Sequence, residues 1–72
     1  MTTIKKLGRD FKLRRTDEGI TQEALSKRSG VSTLTIQKIE RGDGNVTIKT
    51  IEKLSNALDS LITINIKSRN DG

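Results

Sequence analysis

Four side chains between Thr33 and Arg41 carry the clearest chemistry of this chain. At about 100° per residue, Leu34, Gln37, Lys38 and Arg41 fall on one side of a helix, and Ile36 and Ile39 on the other. An amide such as that of Gln37 can pair bidentately with the edge of adenine. A cation such as Lys38 can donate to guanine or hold a phosphate, and a leucine can touch a thymine methyl. The isoleucine side must face a core. One short helix therefore combines a face for burial with a face suited to the edge of a base pair.

That helix needs a scaffold, and the sequence marks its entries three times. Thr21, Ser32 and Thr47 each supply a hydroxyl that can accept from an amide left free at a helix start. Each follows an apolar residue (Ile20, Val31, Val46) matched by another five positions on (Leu25, Ile36, Ile51), the spacing of a hydrophobic staple. Gly30 separates the first two of these helices by a sharp turn, which needs the positive φ that glycine adopts cheaply. Upstream, Ile4, Leu7 and Phe11 form the apolar stripe of a helix expected from Thr3 to Glu18 and ended by Gly19. Downstream, Ile48, Ile51, Leu54, Ala57 and Leu58 line one face of a fourth helix, expected from Ile48 to Leu58.

Composition narrows the function classes. The chain has 72 residues, no cysteine and no histidine, so disulfides, thiolate metal ligands and the commonest general base are all absent. Asp17, Glu18 and Glu23 sit near helix ends, where dipole interactions account for them. No enzyme activity, metal or cofactor is expected. No apolar run approaches the roughly 20 residues that span a bilayer. The opening MTTIKKLGRD is too polar for a signal-peptide core, so a cytoplasmic protein with no membrane partner is expected. Net charge is +5, and its distribution decides more than its size. Residues 1–41 hold ten Lys/Arg against five Asp/Glu, whereas residues 42–72 hold four of each. The whole excess lies in the half with the two short helices, as in a protein that meets nucleic acid with one side.

The run QEALSKRSGVSTLTIQKIER, Gln22 to Arg41, resembles the helix-turn-helix of the phage repressor, Cro and Xre-like family. The likeness extends from about Leu7 to Leu58. Gln22 stands at its opening, Ser26 where the helices cross and Gly30 at the turn. Val31, Ile36 and Ile39 occupy the buried positions, and Ile39 to Gly42 (IERG) is followed by Asn45 and a Thr47-Ile48 helix start. The resemblance implies a lambda-repressor-like domain of four helices over residues 1–60. It also implies an ion pair between Arg15 and Glu40. Physical reasoning agrees, since Glu40 lies beside the buried face and a carboxylate near phosphates needs a partner. Two departures stand out. Arg14 occupies a position usually apolar in the family, and Val46 replaces a frequent proline.

The base-contacting candidates are then Ser32, Thr33, Leu34, Gln37 and Lys38, and the phosphate-contacting candidates Gln22, Arg41, Asn45 and Thr47. Leu61 to Lys67 (LITINIK) alternates Ile62, Ile64 and Ile66 with polar residues, a period-two pattern that predicts a β-strand. A lone strand has unpaired edges, so pairing with the same strand of a second copy is expected. Residues 68–72 read as a polar, disordered tail. This layout is similar to HipB-like antitoxins. The function so implied is a dimeric, sequence-specific regulator that binds double-stranded DNA, represses its own operon and reads a near-palindromic operator. The alternative is an antitoxin that neutralises a toxin protein and binds DNA as autoregulation.

Overall fold

The computed structural model describes residues 4–43 and 46–70. Four helices follow in order: α1 (Ile4–Asp17), α2 (Gln22–Ser29), α3 (Thr33–Arg41) and α4 (Ile48–Asn70). The three hydroxyl caps lie at the three expected entries. Thr21 accepts from the Ala24 amide at 3.0 Å, Ser32 from Thr35 at 3.2 Å, and Thr47 from Thr50 at 3.2 Å. Gly30 ends α2 at φ 77°, and its amide donates to the Ser26 carbonyl. The α2–turn–α3 unit is thus fixed at both ends by local chemistry.

Ile20, Leu25, Ile36, Ile39, Leu54, Ala57 and Leu58 are buried together, with Phe11, Ala24, Val31, Val46, Leu61 and Ile62 packed around them. Helix α3 contributes both its isoleucines, α2 contributes Leu25, and α4 lays Leu54, Ala57 and Leu58 against α2. On the other flank α1 crosses α3 at very short range. A Cβ on Gly8 would stand 2.0 Å from the Ile39 carbonyl oxygen, so any side chain there would collide with backbone. Nothing about Gly8 in the apolar pattern of α1 called for this. A glycine inside a helical stretch is nevertheless a recognised mark of close approach.

The C-terminal segment differs from its expected form. Ile62, Ile64 and Ile66 do not form a strand, and no β-strand occurs among the described residues. Helix α4 continues through them to Asn70, and residues 68–70 form its last turn. Neither glycine nor proline interrupts residues 48–70, so lengthening an existing helix avoids a second nucleation. The β-branched side chains cost only a few tenths of a kcal/mol each in a helix. Tertiary contacts add to this. Leu58, Leu61, Ile62 and Asn65 follow helical spacing, and the Asn65 amide donates to the Glu18 carbonyl at 3.0 Å, tying α4 to the end of α1. The alternating isoleucines are thus incidental to the 3.6-residue repeat that packs. A strand-paired dimer is therefore ruled out as the form of this segment. The similarity to HipB-like antitoxins loses the element on which it rested.

The close crossing of α1 and α3 generates a prediction. Gly8→Ala gains about 0.5–1 kcal/mol of helix propensity but must push two backbones apart, at about 2–3 kcal/mol or more because the clash is with backbone. The melting temperature, followed by circular dichroism, should fall by roughly 5–20 °C. An unchanged or higher value would contradict the close crossing.

Candidate nucleic-acid interface

The surface begins with what holds α3. Arg15 projects from the last turn of α1 into the junction of α1, α2 and α3. Its Nε donates to Glu40 Oε2 at 2.7 Å, and its Nη2 to Glu40 Oε1 at 2.8 Å. Its Nη1 donates to the Ile20 carbonyl at 2.7 Å, while the Ile20 amide returns a bond to the Arg15 carbonyl at 3.0 Å. All three guanidinium nitrogens are engaged, and both backbone polar groups of buried Ile20 are tied to one residue. The side chains of Arg15 and Glu40 are only 8% and 3% exposed. A pair so placed is fixed by geometry in a way that a flexible surface pair is not. The planar fork matters: a lysine carries the charge but cannot make these three bonds in one plane.

Glu40 has a second partner. Gln22, at the start of α2, donates from Nε2 to Glu40 Oε1 at 3.1 Å. Gln37 in turn donates from Nε2 to Gln22 Oε1 at 3.3 Å. A chain of hydrogen bonds therefore runs from the buried cation to the outer face of α3. Reading Gln22 only as a phosphate contact missed this role. The available signal was its position one residue after the Thr21 cap, opposite a carboxylate that needed more than one donor.

The remaining candidates can be placed one by one. Ser32 is exposed, but its hydroxyl is occupied in capping and also bonds Thr35 Oγ1 at 3.0 Å. Thr33 is half-buried at the first position of α3. Leu34 is 58% exposed, an apolar side chain turned to solvent beside exposed Gln37 and Lys38. Arg41 is exposed at the end of α3 and pairs with Asp43 at 3.2 Å. Thr47 is exposed and caps α4. Asn45 lies outside the described residues. Thus Leu34, Gln37, Lys38 and Arg41 share the outer side of α3, with Gln22 linked to it and Thr47 at the neighbouring helix start. The Thr47 hydroxyl takes the Thr50 amide, and a helix N-terminus of this kind suits a phosphate oxygen. Arg14, the unusual residue of α1, pairs with Asp59 of α4 on the surface, so its charge does not disturb the core.

These elements define a four-helix domain in which the second helix of a helix-turn-helix presents a polar, cationic face. Comparison with known proteins agrees. The helix-turn-helix family pattern matches residues 11–63. An uncharacterised helix-turn-helix-type transcriptional regulator of Sinorhizobium fredii, y4dJ, is 39% identical over 58 residues, which are 81% of this chain and 75% of that protein. Among solved structures, the restriction-modification controller protein C.AhdI from Aeromonas hydrophila superposes with a TM-score of 0.73 at 38% identity, covering 78% of this chain and 85% of that one. The restriction-modification controller protein C.Esp1396I gives the same TM-score, 0.73, at 28% identity over 90% of this chain and 94% of its own. The chain belongs to the helix-turn-helix family of transcriptional regulators. Among the described residues no helix is long and apolar enough to cross a membrane.

The buried pair sets the next expectation. Arg15→Ala leaves Glu40 buried without its cation, at a cost of about 3–5 kcal/mol. That approaches the total stability of a domain this size. Urea unfolding should show Arg15→Ala largely unfolded, and replacement of both Arg15 and Glu40 by methionine should restore part of the loss, the Ile20 carbonyl still lacking its donor. A single-variant loss below about 1 kcal/mol would mean that the pair behaves as a surface contact.

Proposed function

We infer that the chain is a sequence-specific, dimeric DNA-binding regulator that lays α3 in the major groove and represses its own operon. The observation that carries this reading is the outer side of α3. Leu34, Gln37 and Lys38 stand exposed there, while Ile36 and Ile39 beneath them are buried and Glu40 is locked. A helix held this firmly by its back presents its front in one orientation, as base readout requires. Gln37 and Lys38 are assigned to base edges, with Thr33 and Leu34 beside them and Ser32 at the helix entry. Gln22, Arg41 and Thr47 are assigned to phosphates.

A second copy is part of this reading, because near-palindromic operators mirror a two-fold protein. The support is the end of α4. Its apolar residues occupy a wider arc than the domain covers, leaving Ile64 at 46% and Ile66 at 47% exposure on opposite flanks of the helix. Packing of the C-terminal half of α4 against its copy would cover one of these flanks. The likeness to two restriction-modification controller proteins supports a role in setting the level of an operon. A restriction-modification gene pair is one such operon to examine.

Selection from a random duplex library tests both parts. The expected motif is near-palindromic, with half-site centres about one helical turn, roughly 34 Å, apart. Gln37→Ala should weaken the selected site by about 1–3 kcal/mol and leave random DNA unaffected. No enriched motif, or equal losses on selected and random duplexes, would overturn base reading by Gln37.

A further inference from the structure

We propose that Gln22 is a specificity-determining residue: through Glu40 it fixes the polarity of the Gln37 amide so that Gln37 accepts adenine and rejects guanine. This rests on α3 being the base-reading helix and adds what makes one of its side chains selective.

An amide side chain has two nearly equivalent orientations, and which one it takes is set by its partners. Here the first partner allows no choice. Glu40 is a carboxylate held bidentately by Arg15, so toward Gln22 it can only accept. Gln22 must then turn its NH2 toward Glu40 Oε1, as it does at 3.1 Å. Its carbonyl oxygen is thereby aimed at Gln37 and can only accept in turn. Gln37 must answer with an N–H, and does so at 3.3 Å. The direction of every bond in the chain follows from the Glu40 carboxylate, which has no proton to donate.

The outcome at the groove is specific. With one N–H of Gln37 committed to Gln22, one N–H and the carbonyl oxygen remain. Adenine offers an acceptor at N7 and a donor at N6, which this edge matches in both positions. Guanine offers acceptors at N7 and O6, so bidentate pairing needs two N–H groups, and only one is free. A Gln37 released from Gln22 could turn either way and would lose that discrimination. Gln22 keeps a second N–H for a phosphate oxygen, so its two roles are compatible.

The roles separate experimentally. A phosphate contact changes affinity for all sequences alike, whereas the relay changes a ratio. Affinities should be measured by fluorescence anisotropy on the selected duplex and on its variant with guanine in place of the adenine facing Gln37, the base pair at which Gln37→Ala loses discrimination. The wild-type chain should prefer adenine by roughly ten-fold or more. Gln22→Met, which keeps the length and the apolar stem, should bring the preference below about three-fold. Lower affinity with an unchanged ratio would reduce Gln22 to a phosphate contact and overturn the proposal. A DNA-free measurement decides independently of whether any operator is bound. In the wild-type chain the Gln37 side-chain amide pair should resonate away from exposed glutamine positions in 1H–15N spectra, and should move to them in Gln22→Met. A Gln37 amide already at exposed positions in the wild type would show that the relay does not exist. A relay seen by NMR with no selective duplex would instead fault the reading of α3.

Discussion

The Arg15 guanidinium is the constraint on which the rest of the structure depends. It sits where three helices meet and spends one nitrogen on the α1–α2 turn and two on α3. Burying such a pair is expensive in desolvation, and its bonds offset that cost only because every nitrogen has a well-placed acceptor. The apolar core around it is small: among the described residues seven apolar side chains are buried, none of them aromatic. A core of aliphatic residues fixes distance between helices better than rotation about their axes. The polar clamp supplies the rotation: Glu40 cannot turn without breaking two charged bonds, and the outer side of α3 turns with Glu40.

Function follows from that arrangement by subtraction. Helix α3 has its inner side taken by Ile36 and Ile39 and its flank by Glu40, leaving Leu34, Gln37, Lys38 and Arg41 toward solvent. Helix α1 is pressed against it by Gly8, so no slack exists on the opposite flank. The hydrogen bonds through Gln22 carry the order of the interior out to Gln37, an exposed side chain of α3. Rigid interior, ordered relay and exposed reader form one connected path of about four side chains.

Much of this was legible from residues alone, for identifiable reasons. Caps, staples and the Gly30 turn are local, and local chemistry is written in short spacings. The two faces of α3 were readable because nine residues at one period separate isoleucine from polar side chains. The end of α4 was not, because LITINIK satisfies both a two-residue and a 3.6-residue period. The contact of Asn65 with Glu18, 47 positions away in sequence, and the packing of Leu61 and Ile62 add to the uninterrupted helix in deciding between them. Gly8 and the second role of Gln22 were hidden for a similar reason. Each depends on what stands opposite in space, Ile39 for one and Glu40 for the other, rather than on its neighbours in the chain.

The most direct test of the central claim, that a buried clamp presents one face of α3 to DNA, is a 1H–15N titration of the wild-type chain with its selected duplex. The account predicts the largest shifts at Gln22, at Ser32 to Lys38 on the outer side, and at Arg41 and Thr47. It also predicts an Arg15 Nε–H resonance that is present before DNA is added and persists unchanged. Shifts centred on the exposed end of α4, with α3 silent, or an Arg15 signal lost to solvent exchange in the free protein, would contradict it.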